Sequence, residues 1–334
     1  MGRSGRLIRY LRRHPFDALL TLAILILIAW ILWSTGAWVL TAADWSVVSS
    51  NLPLFASGTY PADQRWRPIL WLLLLLLLTL CTLVLPVKRS PQSRGVFRLL
   101  LPWLWLAMLP FGITLLGGGM GLPAVPSRAW GGLALTLLLT GASGFLALPL
   151  GILLALGRNS PWPVLHHSSR LYVDLMRAVP LIAVLFFGQL LIPLFLPVNL
   201  EINRVLRAVV AFGLFAAAYV AEDIRGGLQA IPRTQREAAA ALGLTTIQSL
   251  RWVVLPQALR ISLPALTNQA IGLLQNTSLM ALLGLVELLG ISRSLLANPD
   301  FIGRHLEVYL WLGVVYWLVG TAMALLASRL ETSR

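Results

Sequence analysis

Residues 237–256 read EAAAALGLTTIQSLRWVVLP, a polar and alanine-rich stretch in a chain that is otherwise strongly apolar. The alanines after Glu237 favour a helix, and Thr234 and Glu237 are spaced to form a capping box at its start. Gly243 is expected to end this helix, and a second helix is expected to follow until Pro256 stops it. The stretch therefore predicts a helical element that is set apart from the apolar runs on either side.

The stretch lies inside a longer segment, residues 222–263, which separates two apolar runs. Gly226-Gly227 predicts a break in the preceding helix after Arg225. The residues alone leave two interpretations of the segment open. It is either a generic amphipathic helix on the membrane surface or a cytoplasmic helix that docks onto a partner protein. In the second case, small alanine side chains would allow close approach and Glu237 would fix the orientation.

Composition places the whole chain in a membrane. It has 334 residues, of which 58% are hydrophobic and 11% are charged, and its mean hydropathy is +0.81. A soluble domain carries about 25% charged residues, so the composition predicts an all-helical integral membrane protein. The net charge of +14 would suit a nucleic-acid partner. The arginines, however, lie at the ends of apolar runs and form no patch with interleaved aromatic residues, which argues against that class.

Eight apolar runs are long enough to cross a bilayer, which takes about 20 residues. Most basic residues fall on one side of these runs, so the positive-inside rule places both termini in the cytoplasm. The first run follows a basic segment as in a signal peptide, but its length favours a permanent anchor. Gly117-Gly118-Gly119 marks a boundary between three spans and the five that follow. The predicted spans are about 16–34, 68–87, 99–118, 130–157, 172–196, 205–221, 264–290 and 307–328.

The sequence contains no pattern for catalysis or for a bound cofactor. It lacks the GxxxxGK[ST] phosphate-binding loop, so this chain is not expected to hydrolyse ATP. Its histidines are scattered and show no metal-ligand spacing with Asp or Glu. A lipid-modifying membrane enzyme would need paired carboxylates or a metal cluster near the membrane interface, and neither is found. These observations argue against an ATP-hydrolysing subunit and against a lipid-modifying enzyme.

The order Glu-Ala-Ala, three residues, Gly, nine residues, an aliphatic residue, one residue and Leu-Pro resembles the signature loop of permease subunits of bacterial ABC importers. In that family the loop forms a coupling helix that sits in a groove of a cytoplasmic ATPase subunit. The resemblance assigns ATPase coupling to the residues at the motif positions, with valine in place of the usual isoleucine. These residues are Glu237, Ala238, Ala239, Gly243, Val253, Leu255 and Pro256.

Flanking residues narrow the resemblance to permeases for polar amino acids, and the three additional N-terminal spans resemble the larger permeases of general L-amino-acid importers. The resemblance implies that residues 129–334 form a type I ABC importer core whose cytoplasmic coupling loop is 222–263. Residues 1–128 would form a three-helix extension with a periplasmic loop at 35–67. The flanking residues are Tyr172-Val173-Asp174 with Arg177 and Pro180-Leu181, Ala218-Tyr219 with Glu222 and Arg225-Gly226-Gly227, Leu255-Pro256-Gln257-Ala258 with Arg260, Asn268-Gln269, Thr277-Ser278-Leu279 and Glu287-Leu288.

The resemblance also implies partners and a location. Such a permease lies in the bacterial inner membrane with both termini in the cytoplasm, surrounded by membrane lipids. It works with cytoplasmic ATP-binding subunits, which hold the ATP and the magnesium, and with a second permease subunit that is expected to be a different chain. A periplasmic amino-acid-binding protein delivers the amino-acid substrate. No cofactor on this chain and no nucleic acid is implied.

Polar residues of the seventh predicted span are the candidates for the substrate path. The family usually carries a Lys-Asp pair before Thr-Ser, and this chain has the neutral amides Gln275 and Asn276 there. Ionisable groups within a span are costly and usually functional, whereas amides can bind a zwitterion by hydrogen bonds. Such side chains either line the path or join helices to each other. The candidates are Asn268, Gln275, Asn276, Thr277, Ser278 and Glu287, of which Glu287 is also interpretable as a surface carboxylate.

Four charged residues near the predicted span ends are candidates for gating or for structural support. Asp174 and Arg177 are three residues apart and therefore share one helix face. They predict either a gate or an ion pair where a helix begins at the cytoplasmic surface. Glu222 and Arg225 lie at the end of the sixth predicted span, where they would brace the helix or contact the ATPase.

A stand-alone secondary transporter or channel for small polar solutes is the alternative function. Such a protein would couple to protons or sodium through ionisable residues within its spans, and few such residues exist in this chain. Uptake that survives ATP depletion and collapses with the proton gradient would identify it.

Overall fold

The computed structural model describes residues 15–84, 96–119, 121–195, 197 and 202–332. Every regular element within these residues is helical, which confirms the predicted all-helical class, and the chain divides after Ser50 into two units. The basic N-terminal segment and most of the basic loop 88–98 lie outside the described residues, and the predicted orientation depends on both.

The first unit contains α1 (Pro15–Thr41) and the short α2 (Ser46–Ser49). α1 has 27 residues, and none of them is buried. A helix of this length extends about 40 Å, which exceeds the hydrocarbon thickness of a bilayer, about 30 Å. α1 therefore has the length and composition of a membrane span.

The second unit is a helical bundle. Its helices are α3 (Leu52–Ser57), α4 (Trp66–Val84), α5 (Val96–Gly117), α6 (Gly132–Arg158), α7 (Pro163–Ala178), α8 (Leu181–Phe186), α9 (Arg204–Gln229), α10 (Arg233–Ala241), α11 (Thr246–Ser249), α12 (Leu255–Asn276), α13 (Leu288–Leu296) and α14 (His305–Thr332).

The predicted outer loop 35–67 is shorter than expected. α3 and a turn of 3-10 helix occupy its second half, because this stretch carries apolar side chains that become buried in the second unit. Tyr60 is 1% exposed, and its hydroxyl donates a hydrogen bond of 2.7 Å to the carbonyl oxygen of Leu116 at the end of α5. The stretch is thus a folded element that packs against its neighbours.

Six helices in the described part of the chain are long and apolar enough to cross a membrane, or seven if α7 and residues 181–195 together form one bent span. The predicted count of eight is not confirmed. The predicted span 172–196 corresponds to the bent pair, and the predicted span 264–290 is divided among α12, a 3-10 helix and α13.

Both breaks have a local cause. The chain bends by 104° between α7 and α8, and Val179 between them is extended (ψ 137°) because Pro180 disfavours the helical conformation of the residue before it. α12 ends at Asn276, a 3-10 helix follows, and Gly284 then turns the chain with a φ of +77°. An average of hydropathy over a window registers neither break.

α9 lies at the centre of the bundle and packs against α6, α7, α8 and α12. Its buried face is made of small side chains, among them the fully buried Ala216, Ala217 and Ala221. On α6, Gly151 leaves no room for a side chain against Val220 of α9. Small residues at a helix contact let two backbones approach closely, so the helices that carry the candidate site are held at short separation.

Candidate functional site

The residues of the predicted coupling motif lie in one segment, residues 233–256, which we term the coupling segment. α10 forms its first part and ends at Ala241. Gly243 then adopts a φ of +78°, which favours glycine, and its N–H donates to the carbonyl oxygen of Ala240 at 2.9 Å. Gly243 therefore ends the first helix of the segment, as predicted.

The predicted capping box at the start of α10 and the predicted glycine break in α9 are both wrong. Pro232 is the residue before α10, so Thr234 lies inside the helix and forms no capping box with Glu237. The capping box lies instead at the second helix. There the Thr245 N–H donates to Gln248 Oε1 at 2.9 Å, and the Gln248 N–H donates to Thr245 Oγ1 at 3.3 Å. α9 also continues through Gly226-Gly227 to Gln229.

Pro256 does not stop the second helix. A π-helical turn at Leu250–Val254 runs directly into α12, and Pro256 lies in the first turn of that helix. Proline has no N–H to donate and clashes with the carbonyl group four residues earlier. A wider turn before the proline accommodates this mismatch. The end of the coupling segment is therefore continuous with α12.

The coupling segment exposes its largest apolar side chains. Leu242 is 82% exposed, Ile247 77% and Trp252 65%. Of the motif residues, Ala239 is buried, Val253 and Leu255 are half-buried, and Glu237, Ala238, Gly243 and Pro256 are exposed. The segment thus combines a fixed backbone with a surface of exposed apolar groups.

A cavity of about 620 Å³ lies where α7 breaks, between that break and the helices α9 and α12. We term it the α7–α8 cavity. Two amides, two aromatic rings and one guanidinium group are the side chains with hydrogen-bonding or π-stacking capacity on its wall. Its lining residues are Arg177, Ala178, Val179, Pro180, Leu181, Phe215, Tyr219, Gln269, Gly272, Asn276 and Leu279.

The structure places one of the six substrate-path candidates in the wall of this cavity, namely Asn276. Asn268 and Gln275 are exposed and lie outside the lining. Thr277 is buried, and its hydroxyl donates to the carbonyl oxygen of Leu274 at 2.7 Å. The Ser278 hydroxyl donates to the carbonyl oxygen of Gln275 at 2.8 Å. Both hydroxyl groups therefore bond carbonyl groups in the preceding turn of the backbone.

Glu287 is fully buried and is not the surface carboxylate that was considered. Its side chain caps α13 by accepting from the N–H groups of Leu289 at 2.8 Å and Gly290 at 2.9 Å. The Tyr316 hydroxyl of α14 donates to the same carboxylate at 3.4 Å. A cap of this kind satisfies backbone donors that the helix start leaves unpaired, so Glu287 joins α13 to α14.

The predicted pair of Asp174 with Arg177 does not form. Asp174 lies 3.4 Å from Arg170 and 3.7 Å from Arg158, whereas the Arg177 guanidinium lies 3.6 Å from the carboxylate of Glu222. Spacing along one helix made the local pair plausible, but both side chains turn towards other partners. Glu222 and Arg225 do pair with each other, as neighbours on α9.

Sequence reasoning did not select Phe215, Tyr219 or Gln269 as candidates, although all three line the α7–α8 cavity. The Phe215 and Tyr219 rings lie 5.0 Å apart between centroids. Tyr219 and Gln269 belong to the flanking motifs that carried the resemblance, which was the available signal. Their common location depends on the packing of α9 against α12, which no local pattern contains.

Comparison with known proteins identifies relatives that cover most of the chain. Residues 147–333 match the family described as binding-protein-dependent transport system inner membrane component. The inner membrane amino-acid ABC transporter permease protein YhdY of Escherichia coli (strain K12) is 37% identical over 86% of this chain and 77% of its own length. The glutamate/glutamine/aspartate/asparagine transport system permease protein BztC of Rhodobacter capsulatus is 34% identical over 87% and 79%. A crystal structure of an amino acid ABC transporter with histidines superposes with a TM-score of 0.53 and 28% identity, over 60% of this chain and 90% of that chain.

Proposed function

The chain belongs to the family of binding-protein-dependent transport system inner membrane components, and we propose that it is the permease subunit of an ATP-driven importer of amino acids. Two relatives, YhdY and BztC, carry amino-acid transport in their names. The observation that carries the proposal is the coupling segment, which exposes large apolar side chains on short helices outside the bilayer-length spans. Exposed apolar side chains of this kind occur at contacts with proteins or membranes, and the family resemblance favours a protein contact here.

The partner on this surface is a cytoplasmic ATP-binding subunit, which would hold the ATP and the magnesium. Leu242, Ile247 and Trp252 are the anchors that such a contact would bury. The exposed Ala238 permits close approach of the partner, and Glu237 is exposed beside it. Each of these features supports docking and is unused by the fold itself.

Two helices connect the coupling segment to the α7–α8 cavity. α12 continues from the segment without a break and carries Gln269 and Asn276, which lie about 20–30 Å along the helix from Pro256. α9 leads into α10 and carries Phe215 and Tyr219. A movement imposed on the segment would therefore reach both of these cavity walls through rigid elements.

Transport would require the permease to switch between two conformations. The ATPase can shift the equilibrium between them only if it binds one conformation more tightly than the other. ATP binding would draw the ATPase subunits together and tilt α9 and α12, which opens the α7–α8 cavity to the side where a periplasmic binding protein delivers the amino acid. A second permease chain would complete the path. The proposed location is the bacterial inner membrane, with both termini in the cytoplasm.

Co-purification tests the docking surface. The tagged chain and its Gly243→Arg variant are purified in mild detergent from membranes that contain the whole transporter, and the bound ATPase is quantified. A non-glycine residue at this positive φ costs about 1–2 kcal/mol, and the new side chain would project from an exposed position. We expect the variant to insert normally and to retain less than a tenth of the ATPase.

Gly303→Arg is the matched control, because Gly303 is also exposed, has a φ of +88° and has nothing near the position of a side chain. It lies before α14, far along the chain from the coupling segment. This control is expected to retain the ATPase. A chain that purifies without an ATPase, or a Gly243→Arg variant that retains it fully, would contradict the proposal and favour a stand-alone transporter.

A further inference from the structure

The α7–α8 cavity has one charged side chain among the described residues that line it, that of Arg177. The guanidinium carbon lies 5.6 Å from the centroid of the Tyr219 ring, and the side chain is 41% exposed. The other polar side chains of this lining are the amides of Gln269 and Asn276 and the phenol of Tyr219. The cavity therefore favours a ligand that presents one negative group and has no net positive charge.

Glu222 lies one helical turn beyond Tyr219 on α9 and faces three guanidinium groups. Arg158 donates to it at 2.9 Å and Arg225 at 3.0 Å, whereas Arg177 lies farther away at 3.6 Å. The side chains of Arg158 and Arg225 are 14% and 29% exposed, so Arg177 is also the most exposed of the three. Glu222 would thus remain paired if Arg177 moved away.

From this geometry we propose that Arg177 recognises the carboxylate of the transported solute, and that Glu222 competes with that carboxylate for the guanidinium group. The inference rests on the proposed function, since it names the binding group of the same transport path. A planar guanidinium binds a carboxylate through two parallel hydrogen bonds. The ligand class is α-amino acids with neutral or acidic side chains, because the described residues of the lining offer no carboxylate to a cationic side chain.

The exchange also couples binding to helix position. Arg177 belongs to α7, three residues before the bend at Pro180, and Glu222 belongs to α9. When the solute takes the guanidinium, the contact between Arg177 and Glu222 is lost, while Arg158 still joins α6 to Glu222. The end of α7 would then be free to move relative to α9 when the solute is bound.

Binding to the purified permease–ATPase complex, without a binding protein, tests the inference. The probes are radiolabelled L-glutamate, L-glutamine, L-leucine and L-lysine in equilibrium dialysis. We expect Arg177→Gln to weaken the tightest ligand roughly 10- to 100-fold, through loss of a charge-assisted hydrogen bond. Glu222→Gln should tighten it roughly two- to fivefold, because a partly exposed ion pair no longer competes.

Arg170→Gln is the matched control, because Arg170 lies on the same helix, is 62% exposed, pairs with Asp174 and is absent from the lining. The affinity of the Arg170→Gln variant for the tightest ligand should equal that of the wild type. A merely structural ion pair would weaken binding in both Arg177→Gln and Glu222→Gln, and that result would overturn the inference. Preferential binding of L-lysine, or no binding of any of the acidic and neutral probes, would overturn it as well.

A chemical rescue covers the case in which Glu222→Gln does not fold. In a Cys81→Ser background, Arg177→Cys is treated with aminoethyl methanethiosulfonate, which restores a positive charge, or with methyl methanethiosulfonate, which does not. Recovery of binding with the first reagent alone is expected, and equal binding after both would overturn the inference. Loss of the ATPase from the preparation reports separately on the proposed function.

Discussion

Two adjacent glycines of α9, Gly226 and Gly227, differ in what a side chain would meet. A methyl group on Gly226 would have nothing within 4 Å, whereas one on Gly227 would lie 2.5 Å from the carbonyl oxygen of Ala258 and would clash with the Ser262 hydroxyl. We expect Gly226→Ala to stabilise the protein by up to about 1 kcal/mol through helix propensity. Gly227→Ala should destabilise it by roughly 1–3 kcal/mol, because α9 and α12 must separate.

Thermal unfolding of the two purified variants checks this prediction, and each serves as the control for the other. Equal effects of the two substitutions would contradict the close contact between α9 and α12. The pair also shows why the glycine break was predicted wrongly. A glycine that ends a helix and a glycine that permits close packing look the same in a local pattern, and only the facing helix distinguishes them.

Side-chain partners show the same limit at the residue scale. Spacing along one helix predicted a pair between Asp174 and Arg177, because residues three apart are neighbours on its surface. In the structure that pair does not form, and charged side chains pair between helices. Glu222 of α9, for example, pairs with Arg158 of α6, which is 64 positions away in the sequence. The sequence identified which residues carry charge near the ends of the spans, but the choice of partner depends on how α6, α7 and α9 pack.

Among the secondary-structure elements, the coupling segment carries an exposed tryptophan whose contribution to ATPase binding can be measured. Trp252 is 65% exposed on the π-helical turn and would be a central anchor of an ATPase contact. We expect Trp252→Ser to weaken ATPase binding by about 2 kcal/mol or more, since buried aromatic anchors dominate such contacts. The measurement is the dissociation constant of the purified ATPase for the permease in detergent.

Trp317→Ser is the control for this prediction, because Trp317 is 66% exposed on α14, which is one of the bilayer-length spans. Its loss should leave the dissociation constant unchanged. An equal loss of ATPase affinity in both variants would show that Trp252 contributes only general hydrophobicity. An unchanged affinity in Trp252→Ser would show that this residue is not part of the contact.

Elements were predicted best where an apolar run is uninterrupted. α1, α4 and α14 lie where the apolar runs predicted them, because a long uninterrupted run of apolar residues indicates a bilayer-length helix. The prediction failed where one residue bends the chain inside an apolar window, as Pro180 does. It also failed at Pro256, where a π-helical turn absorbs the proline and the helix continues.

For the whole molecule, the resemblance of one short motif identified the family, and it predicted the role of the coupling segment. The cavity that we propose as part of the substrate path was harder to predict, because its wall joins side chains from three parts of the chain, at 177–181, 215–219 and 269–279. Of the six substrate-path candidates, Asn276 alone lies in this lining. The cavity exists only because α7 bends and α9 packs against α12, and both are properties of the fold.

If this chain imports amino acids by coupling to an ATPase, transport reconstituted in liposomes must depend on ATP. The chain and its co-purifying subunits are placed in liposomes that enclose ATP, with a binding protein and a radiolabelled amino acid outside. We predict accumulation that requires ATP, persists with a proton ionophore, is abolished in Gly243→Arg and is retained in Gly303→Arg. Accumulation that proceeds without ATP and collapses with the ionophore would contradict the claim.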